Sequence, residues 1–461
     1  MRNLKRRALA VAMAAVLALG SMSYPGKVDP ASAAGRSDAV LTDESQLGEY
    51  NDKLAYKRVG VHDPSIIQDP ETKRYYLFGS HCAWAYSDDL KNWTSFTNNV
   101  TEASAVTIFK DEIAWCRKAD SSYSVAGNLW APDIVWSEPM KKWCMYMSIN
   151  GPDWNSTISL LTADRLDGSW TYVGPVIQSG MTKGYGLTFD LTKVTGETTV
   201  PARYTDNVSR GGNPTLEAHA IDPCVVYDDK GDLWMSYGSW SGGISMIKLD
   251  PKTGLRDYST SYKDTGNKVD ADGMISDPYT GYKIAGGTAV SGEGSYIQKI
   301  GDYYFLFLSY GGYDPKGGYN MRLFRSKDIK GPYLDALGKD ARTVVNSKAG
   351  DTTGTTGMRL VSFYKWNFAP YGYTAQGHNS AIVDPDSGKA FVIYHNKFND
   401  GTAAHEVRNH QLLVNEDGWI LAAPFEYAGE TLSEKGYSQE LFTGDYGIMF
   451  QRQNVDAAKL A

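Results

Sequence analysis

The chain carries 461 residues with a formal charge of −7, and its basic residues form no run beyond the first few positions. Nucleic acid and anionic membrane are excluded as natural partners, because both need clustered Lys and Arg to displace counterions, whereas a neutral polymer meets no such objection. The four cysteines (Cys82, Cys116, Cys144 and Cys224) show no CxxC spacing, which argues against a zinc site or a dithiol redox centre.

The first predicted element is a targeting segment. Arg2, Lys5, Arg6 and Arg7 precede an apolar run from Ala8 to Leu19 and a small-residue site at Ala31-Ser32-Ala33. That order reads as a secretory signal peptide over 1–33. The run is too short for the roughly 20 apolar residues that span a bilayer. Secretion implies an oxidising compartment, in which Cys82 and Cys116 are the candidate disulfide pair, while Cys144 and Cys224 sit in apolar runs and read as buried thiols. Residues 34–56 read as a linker.

From residue 57 a start phrase returns at intervals of roughly 70 to 90 residues. It reads Asp63-Pro64-Ser65-Ile66-Ile67, Ala131-Pro132-Asp133-Ile134-Val135, Asp222-Pro223-Cys224-Val225-Val226, Glu293-Gly294-Ser295-Tyr296-Ile297 and His378-Asn379-Ser380-Ala381-Ile382. Each start leads through a turn into an apolar, aromatic second strand: 75–80, 143–148, 233–239, 303–310 and 390–395. Several third strands close on an aromatic after an acidic turn, as at Trp93, Trp170, Tyr333 and Trp419. Four antiparallel strands repeated five times predict an all-β, five-bladed β-propeller over 57–428, with 429–461 as a short C-terminal β segment. A β-sandwich would explain the alternation but not the fivefold recurrence. Long insertions at 101–127, 184–219, 258–289 and 334–376 are expected to wall one mouth of the channel.

The first residues of the five starts are Asp63, Ala131, Asp222, Glu293 and His378. Inner strands of a propeller run the same way, so these positions converge near one mouth. A single Asp-Pro is usually a turn opener; three acids at one repeat position have no structural need. Glycoside cleavage needs one carboxylic acid to protonate the leaving oxygen and one carboxylate to activate water or attack the sugar, and crowding raises the pKa of one member. His378 is open to three readings at this point: a base, a metal ligand or a hydrogen-bonding core residue.

The same phrases resemble glycoside hydrolase family 43, and within it the extracellular endo-α-1,5-L-arabinanases. The resemblance runs over roughly Val61 to Ala428 and rests on Val61-His62-Asp63-Pro64, Gly79-Ser80-His81-Cys82-Ala83-Trp84, Leu129-Trp130-Ala131-Pro132-Asp133, Ala220-Ile221-Asp222-Pro223, Glu293-Gly294-Ser295 and Gly377-His378-Asn379. It implies inverting hydrolysis of arabinan, a pectin side chain, by a secreted monomer. Asp63 matches the general base, Glu293 the general acid and Asp222 the acid that tunes it. His378 matches the histidine that holds a calcium ion, largely through water. Gly151, His219, Ala220, Ile221, Ser239, Trp240 and Ser241 fall where relatives line the sugar site, and Trp84 is placed to stack a sugar ring, with blade packing as the alternative for both tryptophans. Exo-acting relatives share the catalytic residues, and a non-catalytic sugar-binding propeller is the competing class. The resemblance also implies a further C-terminal β-domain in larger secreted members, of which 429–461 reads as the start.

Overall fold

The computed structural model describes residues 56–208, 214–286, 292–343, 356–365 and 371–423, with 426, 427 and 429. The expected signal segment, nearly all of the linker at 34–56 and nearly all of the segment at 429–461 lie outside the described residues.

The described strands form five antiparallel sheets. Blade I holds β1 (Ser65–Gln68), β2 (Tyr75–Gly79), β3 (Ala83–Ser87) and β4 (Thr94–Phe96). Blade II holds β5 (Leu129–Ser137), β6 (Lys142–Ile149), β7 (Thr157–Ala163) and β8 (Thr171–Gln178). Blade III holds β9 (Cys224–Tyr227), β10 (Leu233–Ser239), β11 (Gly243–Leu249), β12 (Ser276–Asp277) and β13 (Gly281–Ala285). Blade IV holds β14 (Glu293–Ile300), β15 (Tyr303–Tyr310), β16 (Asn320–Ser326) and β17 (Met358–Val361). Blade V holds β18 (Tyr373–Val383), β19 (Ala390–Phe398), β20 (His405–Val414) and β21 (Ile420–Ala422). The inner strands β1, β5, β9, β14 and β18 neighbour one another in that order, and β18 meets β1. The expected five-bladed propeller is therefore the fold.

What holds the ring is burial between blades. Each of five apolar clusters joins two neighbours: Phe78 and Trp84 of blade I meet Met145 and Met147 of blade II, and Leu77 and Ala85 meet Phe391 and Ile393 of blade V. The period-2 alternation of each strand supplies one face to each neighbour. Trp93, Trp170 and Trp419 are buried just before β4, β8 and β21, as anchors for the outer strands.

Two insertions are blade rather than wall. Residues 258–289 contribute β12 and β13, so blade III draws its outer strands from the segment expected to line the groove. Residues 334–376 likewise contribute β17. The segment at 101–127 instead forms two helices, α1 (Glu102–Ile108) and α2 (Lys110–Arg117), the first capped by Thr101 and Ser104 in a reciprocal capping box.

The expected Cys82–Cys116 bridge does not form; both thiols are free. Cys116 is buried on α2 and its Sγ donates to the Ile149 carbonyl at 3.1 Å, while Cys82 lies in the left-handed turn after β2. Burial pushes both thiols up to about 12, so they stay protonated.

Candidate active site

The start phrase places a left-handed residue at the same point in every blade: Asp63 (φ 52), Ala131 (φ 39), Asp222 (φ 54), Gly294 (φ 60) and His378 (φ 44). Strand pairing fixes this equivalence, because Ser65, Asp133, Cys224, Tyr296 and Ser380, each two residues on, face matching points of the second strands. In blade IV the ring position is thus Gly294, not Glu293 as the sequence alignment assumed. The reason is steric: a Cβ at Gly294 would stand 2.9 Å from His378 Cγ, so this place accepts only glycine. Glu293 sits one residue earlier, opposite Ser309 in a bulged ladder.

A left-handed non-glycine residue costs about 1–2 kcal/mol. Bonds from the preceding blade offset this. Ser80 Oγ accepts from Ala131 N (2.9 Å), Ser148 Oγ from Asp222 N (3.1 Å), Ser309 Oγ from His378 N (2.7 Å) and His395 Nδ1 from Asp63 N (3.4 Å). The matching residue of blade III is Gly238, which has no side chain. Gly294 N instead donates to Asp222 Oδ2 at 3.2 Å.

One cavity of about 330 Å³ lies over the ring, and Asp63, Asp222, Glu293 and His378 all line it, with Ile221 and Tyr319. The three carboxylates predicted from sequence do converge. Asp63 accepts from Ser80 Oγ (2.5 Å), and it meets His62 Nδ1 at 2.8 Å and His378 Nδ1 at 3.1 Å. Burial raises its carboxyl, but the charges of His378 and His62 and their hydrogen bonds outweigh that and hold it well below the ordinary carboxylate range. Burial pushes Asp222 up to about 7, with His378 opposing and Glu293 and Asp63 adding to the rise. Burial also raises Glu293, against the hydrogen bond from Tyr319 and the charge of His378. For His378 burial acts downward, and Asp63 and Asp222 outweigh it to give about 10. The cluster therefore holds one firmly ionised carboxylate beside two whose proton affinity burial raises, which is the division an acid–base hydrolase needs.

The expected substrate contacts divide. Ile221 lines the cavity. Trp240 is a partner of Glu293, with Nε1 donating to Oε2 at 2.6 Å, and Ser239 Oγ stands 3.4 Å from the same oxygen. Trp84 is a correction: it is 2% exposed, packs on Phe78 and gives its indole N–H to the Val100 carbonyl, so it has no free face for a sugar. Gly151 is closed in by backbone, a Cβ there standing 2.2 Å from the Cys116 carbonyl oxygen. His219 bonds Ser156 Oγ at 2.8 Å, and burial lowers it to about 3, so its ring is neutral. Ala220 and Ser241 are buried as well.

Sequence reasoning missed the groups that hold the acids. His62 stacks on His395 with centroids 4.0 Å apart, and Tyr319 also stacks on His395, at 6.0 Å. Tyr319 OH donates to Glu293 Oε1 at 2.8 Å. His395 was findable, as the residue of its second strand that aligns with Ser80 and Ser148 of theirs; Tyr319 follows an unremarkable Gly-Gly turn and carried no signal.

A donor set for calcium is present in part. His378 spends Nδ1 on Asp63, which leaves Nε2 on a ring that lines the cavity, a donor suited to an ion held largely through water. Among the described residues His62, Asp63 and His395 also bring ligand atoms within 4.8 Å of one another, but two nitrogens per oxygen is a poor set for a hard cation.

A propeller whose axial pocket gathers three carboxylates with divided proton affinities is built for glycoside hydrolysis. The chain belongs to glycosyl hydrolases family 43, whose profile matches residues 58–197 and 194–420, and it is a glycoside hydrolase. It is 34% identical over 421 residues to extracellular endo-α-(1→5)-L-arabinanase 2 of Bacillus subtilis strain 168, covering 88% of this chain and 79% of that one. The solved endo-1,5-α-L-arabinanase of Thermotoga petrophila RKU-1 matches at a TM-score of 0.63 and 32% identity, over 82% of this chain and 78% of that one. An extracellular exo-α-(1→5)-L-arabinofuranosidase of Cellvibrio japonicus is 27% identical over 349 residues, 74% of this chain and 79% of that one.

Proposed function

We propose that this hydrolase is secreted and cuts α-1,5-L-arabinofuranosidic bonds inside arabinan chains, with inversion at the anomeric carbon. The observation that carries the chemistry is the split within the cavity: Asp63 held ionised by two imidazoles, and Glu293 and Asp222 held towards the protonated state by burial. Asp63 is the general base for water and Glu293 the general acid for the leaving oxygen. Asp222 adds to the negative field around the acid and holds the Gly294 backbone beside it. The endo-acting relative supports internal cleavage through its higher identity, 34% against 27% for the exo-acting one. Extracellular relatives and the predicted signal segment support secretion, and no described helix is long and apolar enough to cross a membrane.

Calcium belongs to the proposal. His378 would hold it through Nε2 in the neutral form and through water, and the ion would then supply, in place of the imidazolium, the positive charge near the three carboxylates. The protein's own residues make and break the bonds.

The test is the product pattern on linear arabinan. Endo action gives fast viscosity loss and short oligosaccharides early in the reaction. Arabinose as the sole early product would overturn it.

A further inference from the structure

Both oxygens of Glu293 are already engaged, and by different kinds of donor. Oε2 takes the Trp240 indole N–H at 2.6 Å; Oε1 takes the Tyr319 hydroxyl at 2.8 Å. An indole N–H can only donate, whereas a phenol hydroxyl can donate or accept. A protonated carboxyl oxygen is a much weaker acceptor than its carbonyl partner. The short bond from Trp240 therefore keeps Oε2 as the carbonyl oxygen when Glu293 is an acid. The proton is left to Oε1, where Tyr319 can turn its hydroxyl and accept.

We propose that Glu293 delivers its proton from Oε1 alone, that Trp240 enforces this choice, and that Tyr319 is a positioning residue whose hydroxyl reverses direction during each turnover. This rests on Glu293 being the general acid. In the resting acid, Oε1–H faces the Tyr319 oxygen. On cleavage the proton passes from Oε1 to the glycosidic oxygen as the anomeric C–O bond breaks and its electron pair goes to that oxygen. Water bonds to the anomeric carbon and gives a proton to Asp63. Glu293 is left as a carboxylate, and Tyr319 turns to donate to Oε1. Transfer of the proton from Asp63 through solvent to Glu293 closes the cycle with no net change in the protein.

The surroundings fit a fixed ring with one free rotor. The Tyr319 ring covers Gly377, where a Cβ would stand 2.3 Å from its Cδ1 and Cε1, and it is stacked on His395. Tyr319 is 1% exposed, and burial together with the Glu293 charge raises its hydroxyl well above the ordinary range, so it stays neutral. Gly377 therefore has a role as well: only glycine leaves room for the phenol.

The experiment compares two leaving groups in Tyr319→Phe and Trp240→Phe. Arabinan needs acid assistance; an arabino-oligosaccharide carrying a dinitrophenyl leaving group does not. Tyr319→Phe is expected to lower kcat on arabinan by roughly 10- to 100-fold with KM changed less than about threefold, and to leave the dinitrophenyl substrate within about threefold of wild type. Trp240→Phe should show the same split. Equal losses on both substrates would mean that the residues only maintain the pocket, and no loss on either would overturn the proposal outright. Glu293→Gln separates the two levels. If it keeps arabinan hydrolysis, the acid assignment itself fails; if it is inactive on arabinan while Tyr319→Phe matches wild type on both substrates, only the relay fails.

Discussion

Gly294 donates its backbone N–H to the carboxylate of Asp222, at 3.2 Å, at the one ring position that no residue of the preceding second strand supports. Gly238 occupies the supporting place, and a Cβ there would stand 2.3 Å from the Gly243 carbonyl oxygen. Asp222 thus has two separable functions: its charge acts on Glu293, and its oxygen holds the backbone next to Glu293. Asp222→Asn keeps an acceptor and removes the charge; Asp222→Ala removes both. The expected order of kcat on arabinan is wild type, then Asn, then Ala. Ala is also expected to lose about 1–3 kcal/mol of stability from the freed amide. Equal stability of Asn and Ala in urea unfolding would refute the backbone role.

The axial cluster also makes stability depend on pH. Asp222 at about 7 and His378 at about 10 both bind protons more tightly folded than unfolded, where ordinary values are about 3.9 and 6.5. Their contribution is complete below those unfolded values and is lost as pH rises through about 7 and then about 10. Asp63 has the opposite sign: its folded value is depressed, so its contribution is present above about 4 and is lost as pH falls below that. The groups titrate as a unit. In chelator-treated protein, Tm is expected to fall by roughly 5 °C from pH 6 to 10, and to fall again in acid. A Tm that climbs steadily from pH 6 to 10 would contradict the cluster.

Trp84 is blade core, and its substitution should behave so. Trp84→Ala is expected to cost about 3–5 kcal/mol of stability. Trp84→Phe, which retains most of the packing, should leave KM for arabinan unchanged within error. A large rise in KM for the folded Phe variant would return Trp84 to the sugar site.

Calcium held at His378 makes a different kind of prediction. Chelation of the native protein should release about one equivalent of calcium, lower activity and lower Tm, with readdition restoring all three, and His378→Ala should bind none. Metal analysis that finds no calcium, with activity indifferent to chelation, would remove the ion from the account.

The propeller was legible because a fivefold phrase is a direct record of five equivalent environments. The second strands, the anchoring Trp93, Trp170 and Trp419, and the convergence of Asp63, Asp222 and Glu293 follow from the same repeat. The misalignment of Glu293 came from a constraint that sequence letters do not display: the ring position demands φ > 0, and His378 packing demands glycine, so Gly294 and not its acidic neighbour is the equivalent of Asp63. Trp84 and the Cys82–Cys116 pairing failed for another reason, while Cys144 and Cys224 are the buried free thiols expected. A neighbouring motif says which turn a residue is near, but not which way a strand presents it. Tyr319 acts through contacts between blades IV and V that no local pattern encodes, whereas His395 was marked by its place in the repeat.

Stereochemistry tests the division of labour between Asp63 and Glu293 most directly. Proton NMR of linear arabinan during the first turnovers reports the configuration of each new reducing end. Asp63 acting as a base on water requires that the first-formed ends be β, the inverse of the α linkage, with α appearing only by slow mutarotation. First-formed α ends would mean that a carboxylate attacks the sugar directly, and would contradict the role assigned to Asp63.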